Sequence, residues 1–313
     1  MSVAPEHPLA VFGHEEAKRV LRTLRAHTLL FTGPPRVGRR RVARWYAALL
    51  NCRAPQRGEP CGACESCRLF AATPEGPAHP DYREVAPERE TKAGRRSRRP
   101  QIRIGDLVAR DDAPNPLGPW LEARPRFRTR VGVIDGAESL SEGAANAFLK
   151  FLEEPPSYAV VILIAPSVQS VLPTLVSRSA PVRFGAVHVP AKLPEPHPAA
   201  RLGRAGELLE AAAHPDAFSA QLAVVDRYLL GLGKGLEEAL ERADALEKAW
   251  SERAEVAELL RARLSAWPPE RYARALHALG RCEEALAAYA APSVAVQVLT
   301  LELRELVRGA RGR

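Results

Sequence analysis

Four cysteines carry the clearest chemistry in the chain: Cys52, Cys61, Cys64 and Cys67, an eight-residue gap followed by two gaps of two. Thiolates are soft ligands, and four of them this close together suit a tetrahedral zinc ion with a closed, structural shell. Reduced thiols in a loop, or ligands of an iron–sulfur cluster, are the alternatives. Gly58, Pro60 and Gly62 supply the turns of a small knuckle. The fifth cysteine, Cys282, stands alone and reads as a buried small hydrophobe. A second constellation is Thr32-Gly-Pro-Pro-Arg-Val-Gly38-Arg39-Arg40. Gly33 and Gly38 have the spacing of a phosphate-cradling loop, but Arg39 stands where a lysine neutralises phosphate and Arg40 where a hydroxyl ligates magnesium. A guanidinium is a bulky fork that cannot bind a metal ion. ATP binding by this chain is therefore unlooked for, and hydrolysis more so.

The elements that must position these groups can be read from periodicity. Leu29 to Phe31 form a short buried strand before the glycine loop, and Val42 to Leu50 a helix after it that delivers Cys52. Val131 to Ile134 form an apolar run ending on Asp135 and reaching Glu138, the pattern of a buried parallel strand carrying acid at its C-terminal edge. Ala145, Phe148, Leu149 and Leu152 repeat at helical spacing until Pro155 and Pro156 stop the helix. Val160 to Ile164 form a second buried strand, and Arg178 projects from the helix end Leu172-Pro-Thr-Leu-Val-Ser-Arg-Ser. A charged block runs from Glu88 to Arg103, Asp111 to Pro119 is proline-rich and interrupts the helix expected after Ile104 and Leu107, leaving an insertion or a broken helix, and residues 185 to 200 form a proline-rich linker. From Ala220 onward five alanine- and leucine-rich helices are expected: Leu222–Leu232, Leu236–Trp250, Ala254–Trp267, Glu270–Ala288 and Ser293–Val307. Such faces pack as a bundle.

The segments Ala145-Asn-Ala-Phe-Leu-Lys, Leu152-Glu-Glu-Pro-Pro156 and Leu172-Pro-Thr-Leu-Val-Ser-Arg-Ser179 resemble the clamp-loader branch of the AAA+ ATPases, most closely the delta-prime subunits of bacterial DNA polymerase III. Val11-Phe-Gly-His-Glu and His79-Pro-Asp81 match further family segments, as does the four-cysteine insertion after the glycine-loop helix. The resemblance implies an α/β fold: an AAA+ P-loop-type parallel sheet domain at 1–185 with a zinc module at 52–67, a short helical lid at 186–220 and an all-α collar at 221–313 that holds subunits in a ring. It implies Walker-B-like roles for Asp135 and Glu138, although the usual adjacent acids are spread out here, and a sensor-like role for Arg204 in the lid. The sensor position after the Val160 to Ile164 strand, usually Thr or Asn, is Ala165-Pro166-Ser167. In this reading the chain's own site is degenerate. Arg178, kept in a Ser-Arg-Ser context where the family has Ser-Arg-Cys, serves as an arginine finger for a neighbour's nucleotide. A surface arginine with no role is the alternative.

The function this implies is that of a non-hydrolysing clamp-loader subunit, not an enzyme by itself. Its partners would be a gamma/tau-like ATPase and a delta-like subunit, with the sliding clamp and primed DNA joining as part of the complex. Two rivals remain: an active gamma/tau-like ATPase, and a zinc nucleic-acid-binding protein on a dead ATPase fold. Arg39 and Arg40 argue against the first, and the finger and collar would be idle in the second. The net charge of +8 suits a nucleic acid or an acidic protein surface. Only six of the 45 basic residues are lysine, an arginine bias that coding composition can also produce. No apolar run approaches membrane-spanning length and no signal-peptide pattern opens the chain, so a cytoplasmic protein without a membrane partner is expected.

Overall fold

The computed structural model describes residues 9–71, 77–87, 101–109, 115–187, 215–252, 255–287 and 290–308. They form two compact units, 9–187 and 215–308, each with its own core.

The first unit is a five-stranded, all-parallel sheet in the order β2-β3-β4-β1-β5. The strands are β1 (Thr28–Thr32), β2 (Tyr82–Val85), β3 (Arg130–Asp135), β4 (Ala159–Ala165) and β5 (Ala180–Arg183). Every residue of β1 and β4 is buried, as expected of apolar runs covered on both faces. One face is covered by α1 (Glu15–Thr23), α2 (Arg39–Asn51) and α3 (Glu65–Ala71). The other is covered by α4 (Ile104–Leu107), α5 (Leu117–Glu122), α6 (Glu142–Glu153) and α7 (Pro173–Val176).

Local chemistry explains several element ends. Ser141 caps α6 by accepting the Ala144 N–H at 3.2 Å, and the periodic face Ala145, Phe148, Leu152 is buried as its spacing requires. The proline-rich stretch yields α5 as a separate short helix with Pro119 in its first turn, where a missing N–H costs nothing. Gly132 lets α5 lie close, since a Cβ there would meet Leu117 and Leu121 at 3.1 and 3.2 Å.

β1 connects to β2 over the face bearing α2, whereas β4 connects to β5 over the face bearing α7. Connections therefore leave β1 and β4 in opposite directions, which opens a crevice at the C-terminal ends of these two strands. Thr32 and Ala165 end the strands side by side.

The second unit is helical: α8 (Pro215–Gly231), α9 (Leu236–Glu252), α10 (Glu255–Leu264), α11 (Pro269–Ala287) and α12 (Pro292–Arg308). Its core is built from Val225, Tyr228, Leu246, Leu260, Leu279, Leu299 and Leu303, and Cys282 is buried among them. Arg304 is only 3% exposed; its guanidinium donates to the Leu232 and Gly235 carbonyls at 3.2 and 3.0 Å, just past the C-terminus of α8. Residues 188–214, which hold most of the expected lid and Arg204, lie outside the described residues. The same is true of 88–100, the greater part of the charged block. No described helix is long and apolar enough to cross a membrane.

Candidate functional site

The glycine loop folds at the crevice. Gly33 has φ +151°, and a Cβ there would stand 2.3 Å from the Phe184 carbonyl oxygen, so no larger residue fits. Its N–H donates to the Pro166 carbonyl at 3.2 Å, tying β1 to the end of β4. Gly38 precedes α2 at φ +107°, and Arg36 also takes a left-handed conformation. The loop thus keeps the curl of a phosphate cradle at a helix N-terminus.

Arg39 and Arg40, at the end of that cradle, are engaged by the protein itself, Arg39 half-buried and Arg40 exposed. Arg39 donates to the Ala165 carbonyl at the end of β4. Its pKa is lowered first by burial, against the opposing pull of Asp135 and Glu138. Arg40 pairs with Glu84, and its Nε lies 3.9 Å from an Asp135 carboxylate oxygen. Glu84 also takes Arg44 Nε at 2.7 Å and the Tyr82 hydroxyl. Burial raises the pKa of Glu84, but the hydrogen bonds from Arg44 and Arg40 outweigh it and hold the carboxyl below its usual range. Asp135 and Glu138 are both pushed up, chiefly by burial. Acids and arginines in this crevice therefore satisfy one another. Ser167, in the sensor segment, accepts the Ser170 N–H at 3.3 Å and so caps a local turn.

Glu84 escaped the sequence reading. Its signal was the alternation Tyr82, Glu84 on β2, which places both on one face of the strand.

Arg178 follows α7 and is exposed. It donates to a Glu153 carboxylate oxygen at 2.6 Å and to the Thr174 carbonyl at 3.2 Å, so it rests across the end of α6.

The four cysteines converge, with all Sγ atoms within 4.8 Å of one another. A tetrahedral zinc with Zn–S near 2.3 Å needs sulfurs about 3.8 Å apart, so closing onto an ion takes only small side-chain shifts. Backbone geometry already favours thiolates: Cys61 N–H donates to Cys52 Sγ, and Cys64 N–H to Cys61 Sγ, each at 3.3 Å. The Cys64 N–H is the main reason that the Cys61 thiol is pulled down to about 6. Burial pushes Cys52 and Cys67 up, because enclosure disfavours the charged thiolate. The donor set fits a metal with a closed sulfur shell.

The cluster is fastened on both sides. Glu59 accepts Trp45 Nε1 at 2.5 Å and Arg22 Nη2 at 2.5 Å, pinning the knuckle to α1 and α2. His79 connects it to the sheet: Nε2 lies 3.0 Å from Ser66 Oγ on α3, Nδ1 accepts the Asp81 N–H at 3.1 Å, and the ring stacks on Phe70 at 4.3 Å. Burial lowers the His79 pKa to about 4, so the ring is neutral with its proton on Nε2. The His-Pro-Asp segment is thereby explained as a joint and not as a reactive group.

Comparison with known proteins locates this arrangement. Residues 16–188 match the family described as DNA polymerase III, delta subunit. The delta' subunit of DNA polymerase III from Pseudomonas aeruginosa is 34% identical over 157 residues, 50% of this chain and 42% of that protein. The Haemophilus influenzae delta' subunit is 33% identical over 166 residues, 53% of this chain and 44% of that one. The gamma/tau subunit from Mycobacterium bovis is 32% identical over 154 residues, 49% of this chain and 23% of that one. The chain thus spans less than half the length of these curated relatives. A gamma-subunit-related protein of DNA polymerase III from Thermotoga maritima has the same fold, with a TM-score of 0.55 at 19% identity over 93% of this chain and 98% of that one. With its α/β unit matched from α1 through β5, more than half of its 313 residues, the chain belongs to the DNA polymerase III delta-subunit family.

Proposed function

We propose that this chain is a delta-prime-like clamp-loader subunit that does not hydrolyse ATP itself. The observation that carries this reading is the fate of Arg39 and Arg40. Both side chains at the positions of phosphate and magnesium chemistry are engaged with Ala165, Glu84 and Asp135. A nucleotide would have to displace Arg39 and would still lack the magnesium hydroxyl. The same observation disfavours an active gamma/tau-like ATPase.

In this reading residues 1–185 form the AAA+ domain, 186–220 a short lid with Arg204 as its sensor-like arginine, and 221–313 the oligomerising collar. Cys52, Cys61, Cys64 and Cys67 hold one structural zinc. Arg178 acts in trans on the ATP site of a gamma/tau-like partner, in a ring that also includes a delta-like subunit and loads the sliding clamp onto primed DNA. The location is cytoplasmic.

The test is reconstitution. The chain alone should give no steady ATP turnover; turnover abolished by Asp135→Asn would overturn the assignment. In the reassembled ring, Arg178→Ala should leave assembly intact and lower DNA-stimulated hydrolysis steeply, since trans fingers contribute roughly 10³–10⁵ in rate. Lysine should rescue poorly, because a point charge lacks the bidentate fork. Wild-type turnover by Arg178→Ala rings would leave only a scaffolding role.

A further inference from the structure

The N-terminal edge of the sheet, opposite the glycine-loop crevice, carries arginines that the clamp-loader reading leaves without a role. Residues 124–130 read Arg-Pro-Arg-Phe-Arg-Thr-Arg, with an arginine at every second position. Arg124, Arg126 and Arg128 are exposed, while Phe127 and Thr129 are half-buried. The backbone beneath them is fixed. Asp81 accepts the N–H groups of Arg126 and Phe127 at 2.9 and 2.7 Å. Asn51 Oδ1 accepts those of Arg128 and Thr129 at 3.1 and 3.0 Å. Both anchors are buried, Asp81 at 0% and Asn51 at 1% exposure. A loop held in this way presents its cations from a rigid base, which lowers the ordering cost of binding.

Neighbouring arginines extend the ridge in both directions. On the knuckle side, Arg53 and Arg126 share the Glu65 carboxylate at 3.4 and 3.1 Å. On the other side, Arg83 and Arg130 lie against Trp120, 5.6 and 4.6 Å from the ring centre. Arg130 Nη2 donates to the Arg124 carbonyl at 3.0 Å, while its buried Nε has no hydrogen-bond partner among the described residues. The Arg124 and Arg128 guanidinium groups make no ion pair among the described residues.

We propose that this ridge binds the phosphate backbone of nucleic acid without reading sequence. Planar guanidinium forks match phosphate oxygens, and fixed cations gain from releasing the counterions condensed on a polyanion. An acidic protein partner fits less well, because stable protein interfaces need apolar anchors at their centre. The large exposed apolar side chains of the described residues, Leu230, Leu236, Val294, Val298 and Leu301, all lie in the helical unit. The inference stands on this ridge alone and does not depend on how ATP is handled.

The test uses the full-length protein and a fluorescein-labelled single-stranded oligodeoxynucleotide, or its duplex, in anisotropy titrations across a salt series. Binding should weaken with salt, by roughly one unit of log–log slope per phosphate contact. The Arg124→Gln/Arg126→Gln/Arg128→Gln variant should bind at least about tenfold more weakly, with a slope smaller by roughly 2–3. Replacing the same three residues with lysine should preserve most of the slope, which separates charge from misfolding. A control that removes as many charges from the helical unit, Arg227→Gln/Arg274→Gln/Arg281→Gln, should leave both quantities unchanged. Absence of binding, equal loss in the control, or polyglutamate bound as tightly as DNA would each overturn the proposal. The ATPase assays above stand apart from any of these outcomes.

Discussion

At the residue scale, the glycine loop holds positive charge that the protein itself engages. Arg39 keeps the positive charge expected after Gly38 but spends it on the Ala165 carbonyl. Arg40 meets Glu84, which Arg44 and Tyr82 also bind, so one half-buried carboxylate balances two guanidinium groups. Glu84→Gln should cost about 1–3 kcal/mol, because two cations would face a neutral amide. Urea unfolding checks this, and an unchanged midpoint would mean that the acid is dispensable. The substitution Lys-to-Arg was legible in the sequence because the glycine spacing is local. Its consequence was not: Glu84 and Ala165 lie far along the chain and reach the loop only when the sheet forms. Asn51 and Asp81 were illegible for the same reason, since their partners lie at 126–129.

His79 makes a pH prediction. Its folded pKa, about 4, lies below its ordinary value of 6.5. The stability it contributes is therefore complete above pH 6.5 and is lost as pH falls toward 4, by about 3 kcal/mol in all. Denaturant titrations of wild-type and His79→Gln protein at several pH values should show this slope in the first and a flatter one in the second.

At the scale of elements, periodicity served best where packing is uniform. Four helices of the C-terminal unit, α9 to α12, were expected within three residues of where they lie, because an alanine–leucine face at period 3.6 has one way to bury itself; α8 begins at Pro215, seven residues before the expected Leu222 and inside the segment expected as lid. The buried strands β1, β3 and β4 were likewise plain apolar runs. A broken helix or an insertion was expected between α4 and α5 from the prolines, but not the bounds of either piece, because pieces of four and six residues have too little pattern to read. They are set instead by Leu107, Leu117 and Leu121 packing against the sheet. The knuckle lies between these cases. Its cysteine spacing was readable, but not its fastening by Glu59 to Trp45 and Arg22. Because that fastening is protein-only, Cys64→Ser should loosen the knuckle without unfolding the sheet. Metal analysis of the wild-type protein under reducing conditions should return one zinc per chain, and none would defeat the metal reading.

At the scale of the molecule, the two units have cores that share no residue: one centred on the sheet and its helices, the other on Tyr228, Leu260, Leu279 and Leu303. Separate cores predict separate unfolding, because cooperativity extends only as far as packed contact does. The thiol cluster belongs wholly to the first core, with Cys52 and Cys67 inside it. A chelator should therefore lower the transition of the sheet unit and leave that of the helical unit in place. The four tryptophans make this measurable, since Trp45 and Trp120 lie in the first unit and Trp250 and Trp267 in the second. With Trp250 and Trp267 replaced by phenylalanine, fluorescence reports the sheet unit alone, and far-ultraviolet circular dichroism follows the helices of both units. Chelation should move the fluorescence midpoint down by several degrees, together with the sheet unit's share of the circular dichroism change, while the helical unit's share stays fixed. A single transition seen by both probes, shifted as one by chelator, would mean that the two cores unfold together and that the metal site stabilises the whole chain.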